Sequence, residues 1–272
     1  MRDRTTIIAE IGENHLGKIE LAKRMIQEAV IVGADIVKFQ SYRGRDFREN
    51  DPEKKWFHKV ELSNETHFEL KRFAEANGVE FLSSPFSRER AQFLVEELGL
   101  KRIKIASGMM LNFSVLDYLN GANNVEEVII STGMATIEEI KTALTHLGDI
   151  PKQTLLHCTT QYPCPDTETN LLAIQSLQEA FPHLDVGYSD HTLGMEACLA
   201  AASLGARVIE KHLTLNKQCA EGTDHLLSLE PVEFRSMVDA IRRIEVMRGM
   251  KAKEPTVGEK KIIEFVRSRF PS

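Results

Sequence analysis

The feature that most limits the fold is an alternation repeated eight times along the chain. Short β-branched runs are each followed by a longer amphipathic run. "TIIAEIG" leads into "LAKRMIQEAVIVGA", whose apolar residues recur at helical spacing. "DIVKFQ" is followed by an irregular excursion from Ser41 to about Ser63 and then by "THFELKRFAEANG". "VEFLSSPF" precedes "RERAQFLVEELG", "RIKIASG" precedes "FSVLDYLNG", and "VEEVIISTG" precedes "TIEEIKTALTHLG". The last three pairs open on "TLLHCTTQYP", "DVGYSDHT" and "RVIEKHLT". Near-continuous apolar strands fit a parallel sheet covered on both faces. Eight such units predict an α/β fold, a single-domain (β/α)8 TIM barrel spanning residues 1–250, with 251–272 as a C-terminal tail or linker stub. A doubly wound open sheet is the alternative, but no G-x-G-x-x-G follows the first strand. Gly33, Gly78, Gly99, Gly121, Gly148, Gly205 and Gly249 stand where helices would end in a left-handed residue.

The 272 residues carry a formal net charge of −6, which argues against a nucleic-acid-binding or anionic-membrane surface. No apolar run approaches the ~20 residues of a membrane span. The N-terminus reads as no signal peptide. The four cysteines form no C-x-x-C pair, so reduced thiols in a cytoplasmic protein are expected.

In a barrel, chemistry collects at the carboxyl ends of the strands. The unusual polar residues of this chain fall there. The first strand ends at Glu10, followed by Asn14 and His15. The second carries Lys38 and Gln40, two apart and so on one face. The third ends in Ser83 and Ser84, the fourth carries Lys104 and Ser107, and the fifth ends in Ser131 and Thr132. The sixth gives His157, Cys158, Thr159 and Thr160, with Tyr162 beyond. The seventh ends in Ser189, Asp190 and His191, and the eighth carries Glu210, Lys211 and His212.

Each has a plainer reading. Ser131 or Thr132 could cap the next helix, Lys38 could serve a structural ion pair, and a lone strand-end histidine is commonly a satisfied core residue. His191 and His212 differ because they come from consecutive strands, ~4.8 Å apart, at similar depth. Two imidazoles and a carboxylate suit Mn, Fe or Zn. Lysines ringed by hydroxyls suit a phosphate and a carboxylate. The residues alone therefore point to a barrel enzyme for a small anionic, phosphorylated substrate.

"AEIGENHLG", "VKFQ", "FLSSPFS", "KIASG", "ISTGM", "LLHCTTQYP", "GYSDHTLG" and "IEKHLT" occur in order along most of the chain. Together they closely resemble the sialic acid synthase family. Its members condense phosphoenolpyruvate with an N-acetylmannosamine-type amino sugar, release phosphate and form a nonulosonic acid. The resemblance implies a (β/α)8 catalytic domain, a homodimer and a divalent metal, usually Mn2+, with Mg2+ or Co2+ as alternatives. It implies roles for Glu10, Lys38, His191 and His212 in catalysis, the two histidines as metal ligands. Phosphoenolpyruvate is expected on Lys38, Ser84, Lys104, Ser107, Ser131, Thr160 and Ser189. The sugar is expected near Gln40, Tyr162 and Asp224. Asp190 faces away from its neighbours and is expected to brace them.

Three departures bear on that reading. Met109 stands after "KIASG" where the family commonly has glutamate, so a carboxylate expected near the reaction is lost. Thr160 replaces the common Asn or Ser after "HCT". The chain stops at "FVRSRFPS", about where many members begin a small antifreeze-like domain. These leave as alternatives a barrel that binds phosphoenolpyruvate or sugar as a regulatory or scaffold subunit, and a Schiff-base aldolase using Lys104 or Lys211. The acceptor (free, 6-phosphorylated or diacetamido) is left open.

Overall fold

The computed structural model describes residues 4–219, 224–249 and 252–270. The strands are β1 (Thr6–Gly12), β2 (Ile36–Ser41), β3 (Glu80–Pro85), β4 (Arg102–Ile105), β5 (Glu127–Ser131), β6 (Lys152–Cys158), β7 (Asp185–Asp190) and β8 (Val208–His212). The helices between and after them are α1 (Ile19–Ile31), α2 (Lys54–Val60), α3 (Asn64–Ala76), α4 (Arg88–Gln92), α5 (Phe113–Gly121), α6 (Ile137–Thr145), α7 (Ala173–Ala180), α8 (Glu196–Ser203) and α9 (Pro231–Met247). Two short helices follow, α10 (Val257–Lys260) and α11 (Ile263–Arg267). The proposed boundary at 250–251 lies outside the described residues.

All recorded ladders are parallel, and β1 pairs with both β2 and β8, so the sheet curls into a nearly closed barrel. This rules out the doubly wound alternative, whose first strand would not meet its last. The remaining seam, between β3 and β4, has no ladder among the described residues. There the strands lie side by side, and Arg102 of β4 pairs with Glu80 of β3 and with Glu127 of β5.

Side-chain alternation sorts the strands into two apolar regions. Ile8, Ile36, Leu82, Ile129, Leu156 and Val208 form a plug separate from the main core. Their neighbours Ile7, Val37, Phe81, Ile130, Leu155 and Ile209 belong to the core that also includes the buried residues of the helices. The helices are held at their starts by local chemistry. Ser63 and Ser87 accept from Thr66 and Arg90, and Thr136 and Glu139 make a reciprocal cap on α6. Ser131 and Thr132 cap nothing, since that position belongs to Thr136. Gly33, Gly78, Gly99, Gly205 and Gly249 have positive φ as expected; Gly121, the last residue of α5, and Gly148 do not.

Asp190 braces the strand ends as expected. It accepts from Lys211 at 2.7 Å, from Tyr188 Oη at 2.9 Å, and from the Thr192 amide at 2.9 Å. Lys211 is fully buried and also donates to the Thr192 carbonyl. It is committed to Asp190 and does not line the active cavity, which removes it as a Schiff-base candidate. Cutting this pair leaves a buried ammonium without its counter-charge. Asp190→Asn is therefore expected to lose about 3 kcal/mol or more of stability, read as a lowered urea midpoint. An unchanged midpoint would show that Lys211 is neutral or repartnered in the fold.

Candidate active site

Two steps along a strand from the plug reach the next inward layer. Ile8 leads to Glu10, Ile36 to Lys38, Ile129 to Ser131, Leu156 to Cys158 and Val208 to Glu210. With Lys104 and Ser189, these residues floor a cavity of about 390 Å³ at the carboxyl ends of the strands. A further two steps bring Gln40, Thr160, His191 and His212 to its sides, and loops add Ser107, Tyr162 and Asp224. Every expected site residue thus lines one cavity except Ser84. Ser84 shares the inward parity of Leu82 and pairs with Gln40, but it is fully buried and its hydroxyl has no partner among the described residues.

Four charges dominate the floor. Lys38 Nζ lies 2.9 Å from Glu10 and 3.6 Å from Glu210, and Lys104 Nζ lies 3.7 Å from Glu210. All four are at most a few per cent exposed, so each charge depends on the others. Burial pushes the carboxyl of Glu10 up to about 7, with Glu210 adding to the rise and Lys38 opposing it. Burial also acts to raise Glu210, but Lys104 and Lys38 outweigh it and hold Glu210 below the usual range. Burial lowers Lys104, while Glu10 and Glu210 overcome burial at Lys38 and raise it. The two carboxylates of the floor are thereby split into one fixed anion and one group that titrates near neutrality. That split is the mark of an acid–base site.

Beside them is a cradle of donors. Lys104 donates to Ser131 Oγ at 2.6 Å, and the Gly133 amide donates to Ser107 Oγ at 3.2 Å. Ser189 donates to Glu210 at 2.8 Å. The hydroxyl of Thr160 is buried without a partner among the described residues. A Cβ at Gly133 would sit 2.2 Å from Thr160 Oγ1 and 2.8 Å from Ser107 Oγ, so only glycine lets these hydroxyls approach the chain. The arrangement suits a small oxyanion bound by an ammonium and hydroxyls.

The two imidazoles stand with ring centroids 5.5 Å apart. His191 Nδ1 donates to the Thr159 carbonyl at 2.8 Å and lies 3.7 Å from Cys158 Sγ; burial acts to lower this imidazole, but Cys158, the carbonyl and Glu210 outweigh it and raise it. His212 Nδ1 is buried, has no hydrogen bond among the described residues, and lies 3.6 Å from Asp224. Burial and the neighbouring positive groups hold His212 far below the usual imidazole range, so it is neutral. The imidazole pair, once both rings are neutral, fits a divalent cation of borderline softness. No group of three or more His, Cys, Asp or Glu among the described residues is arranged to hold an ion. Water or substrate would have to complete its shell.

The excursion after β2 was the part least legible in sequence. It forms an ordered wall. Tyr42 meets Phe47, Phe57 and Phe86 edge-on at 5.4–5.8 Å, and Phe47 stacks on Phe57 at 3.8 Å. Arg90, almost fully buried, donates to Ser41 at 2.8 Å and Asn64 at 2.7 Å, pinning both ends of the excursion. Phe47, Glu53, Trp56 and Phe57 line the cavity, and so does Glu13 from the loop after β1. Alternation from Val208 would have exposed Glu210 as an inward carboxylate; nothing in the local sequence marks the aromatic wall.

The NeuB family profile matches residues 25–253 of the 272. The chain belongs to the NeuB family. An N,N'-diacetyllegionaminic acid synthase of Campylobacter jejuni is 43% identical, with 97% of this chain and 83% of that protein covered. The human N-acetylneuraminate-9-phosphate synthase is 35% identical over 91% of this chain and 72% of its own. A crystal structure of N-acetylneuraminic acid synthetase from Leptospira borgpetersenii serovar Hardjo-bovis, in complex with citrate, superposes with a TM-score of 0.91 at 34% identity, covering 98% and 93% of the two chains.

Membership in the NeuB family sharpens the question at Met109. Ser107 and Gly108 line the cavity, but Met109 is 8% exposed and packs in the main apolar core. Met109 does not line the cavity, and on this backbone Met109→Glu would bury a carboxylate. The cradle carries a clearer expectation. Gly133→Ala should keep the fold while weakening binding of inorganic phosphate about tenfold or more, measured by calorimetry. Unaltered affinity would show that Ser107 and Thr160 do not hold the anion.

Proposed function

We propose that this NeuB-family chain is a C–C bond-forming synthase that condenses phosphoenolpyruvate with an N-acetylmannosamine-type amino sugar, releasing phosphate and forming a nonulosonic acid. The observation that carries the reading is the junction, in one cavity, of the Lys104–Ser131–Ser107 cradle, the split carboxylates Glu10 and Glu210, and the imidazole pair. The names of the relatives agree with it.

In this reading Lys38, Lys104, Ser107, Ser131, Thr160 and Ser189 hold the phosphate and carboxylate of phosphoenolpyruvate. Its C3 attacks the aldehyde carbon of the sugar. Water adds at C2, and cleavage of the C2–O bond expels phosphate, whose charge the lysines and hydroxyls stabilise. Gln40, Tyr162 and Asp224 hold the sugar. Glu10, whose carboxyl lies near neutrality, moves the proton that accompanies addition at C2. His191 and His212 would hold a divalent cation, Mn2+ first among the candidates, which when bound supplies Lewis-acid polarisation of the sugar carbonyl. A silent binding subunit is disfavoured, because such a barrel would have no use for a carboxyl poised near pH 7 beside an imidazole pair.

The decisive assay is inorganic phosphate release from phosphoenolpyruvate with Mn2+, with and without sugar. Release that requires the sugar, with a nonulosonic acid found by mass, is expected; no release with any acceptor would sink the reading. Glu10→Gln should still bind phosphoenolpyruvate but lose about 10²-fold or more in turnover. It should also lose the limb near pH 7 in the kcat/KM profile. Turnover at the normal rate would make Glu10 structural. His191→Ala should lose stoichiometric Mn2+ by elemental analysis, and retention of the metal would overturn that ligand assignment.

A further inference from the structure

The charges that line the cavity are sorted by depth. Its lysines, Lys38 and Lys104, lie on strands at the floor, each already facing Glu10 or Glu210. The charged groups brought by the loops above are Glu13, Glu53 and Asp224, all carboxylates, and among the described lining residues no Lys or Arg accompanies them. Glu13 is held rigidly. Tyr42 Oη donates to one of its oxygens at 2.6 Å and the Trp56 indole N–H donates to the other. The rest of this upper wall is largely aromatic, with Phe47, Phe57 and Phe86 exposing ring surface to the cavity.

A phosphomonoester carries nearly two negative charges near neutral pH and is bound in proteins by guanidinium, ammonium or free backbone amides. The upper wall offers the opposite. Carboxylates repel it, while they accept hydrogen bonds from neutral hydroxyls and amides, and aromatic rings take up apolar sugar faces and acetamido methyl groups. We propose that this wall makes the chain selective for an acceptor sugar that carries no phosphate, with Glu13, Glu53 and Asp224 excluding phosphorylated sugars by like charge. The inference rests on the condensing-enzyme reading above and fixes the acceptor class that reading leaves open.

Three acceptors test it: N-acetylmannosamine, its 6-phosphate, and 2,4-diacetamido-2,4,6-trideoxymannose. At low salt, kcat/KM for at least one uncharged sugar should exceed that for the 6-phosphate by about tenfold or more. The gap should narrow as ionic strength rises from about 0.05 to about 1 M. It should also narrow in Glu53→Gln, which neutralises an exposed carboxylate at the mouth, and in Glu13→Gln. A 6-phosphate used as well as or better than both uncharged sugars overturns the proposal. A preference that responds to neither salt nor charge removal overturns the mechanism by like charge. Failure of all three to release phosphate sinks the condensing reading instead. Binding then decides the selectivity separately. Trp56 is the only tryptophan of the chain and lines the cavity, so its fluorescence reports occupancy. Tighter binding of an uncharged sugar than of the 6-phosphate upholds the proposal; equal binding, or none, overturns it.

Discussion

The structure turns on four charges, Lys38, Glu10, Glu210 and Lys104, buried together above an apolar plug. None of them could be kept ionised there alone, because the desolvation of a single ion outweighs what a folded domain can offset. Held together they are tolerated, with Glu10 the least committed to its charge. An anionic substrate entering this floor meets two ammonium groups partly neutralised in advance, and a carboxyl able to take or give a proton. The same balance that makes the floor tolerable in the free protein thus suits it to an anionic ligand.

The barrel divides labour between strands and loops. Residues that must be placed to a fraction of an ångström, such as Lys104 against Ser131, come from adjacent strands whose register is set by the ladder. The wall above comes from the excursion between Ser41 and Asn64. Arg90 ties that segment down from outside the cavity through Ser41 and Asn64, and stacks on Phe93 at 4.2 Å. Arg43 shares Asn64 at 2.7 Å. A change in the loop can therefore reshape the wall while the ladder keeps the floor's register in place.

How much of this could be read in advance follows the physics of each part. The barrel was legible because apolar alternation with period two and amphipathic runs with period 3.6 are local signals, repeated eight times. The site was legible where a polar residue ended an otherwise apolar strand, as with Lys38, Ser131 and His191. Depth and side-chain partners were not legible. Ser84 has the right parity but is fully buried, and Lys211 stands between Glu210 and His212 yet faces the opposite way, toward Asp190. The aromatic wall was hidden because Tyr42, Phe47, Phe57 and Phe86 follow no local period, and Phe86 joins the other rings through Tyr42.

Met109 shows why a departure from a family motif has to be weighed in space. Its place after "KIASG" suggested a lost carboxylate at the centre of the chemistry. The short helical turn Ser107–Met109 instead turns Ser107 and Gly108 toward the cavity and Met109 into the core. A glutamate there would need either a buried partner or a different turn, and a different turn would move Ser107 away from the Gly133 amide it now accepts from. The apolar residue and the placement of the cradle hydroxyl are thus one structural choice. Of the two carboxyls on the floor, Glu10 is the one that burial lifts to about 7.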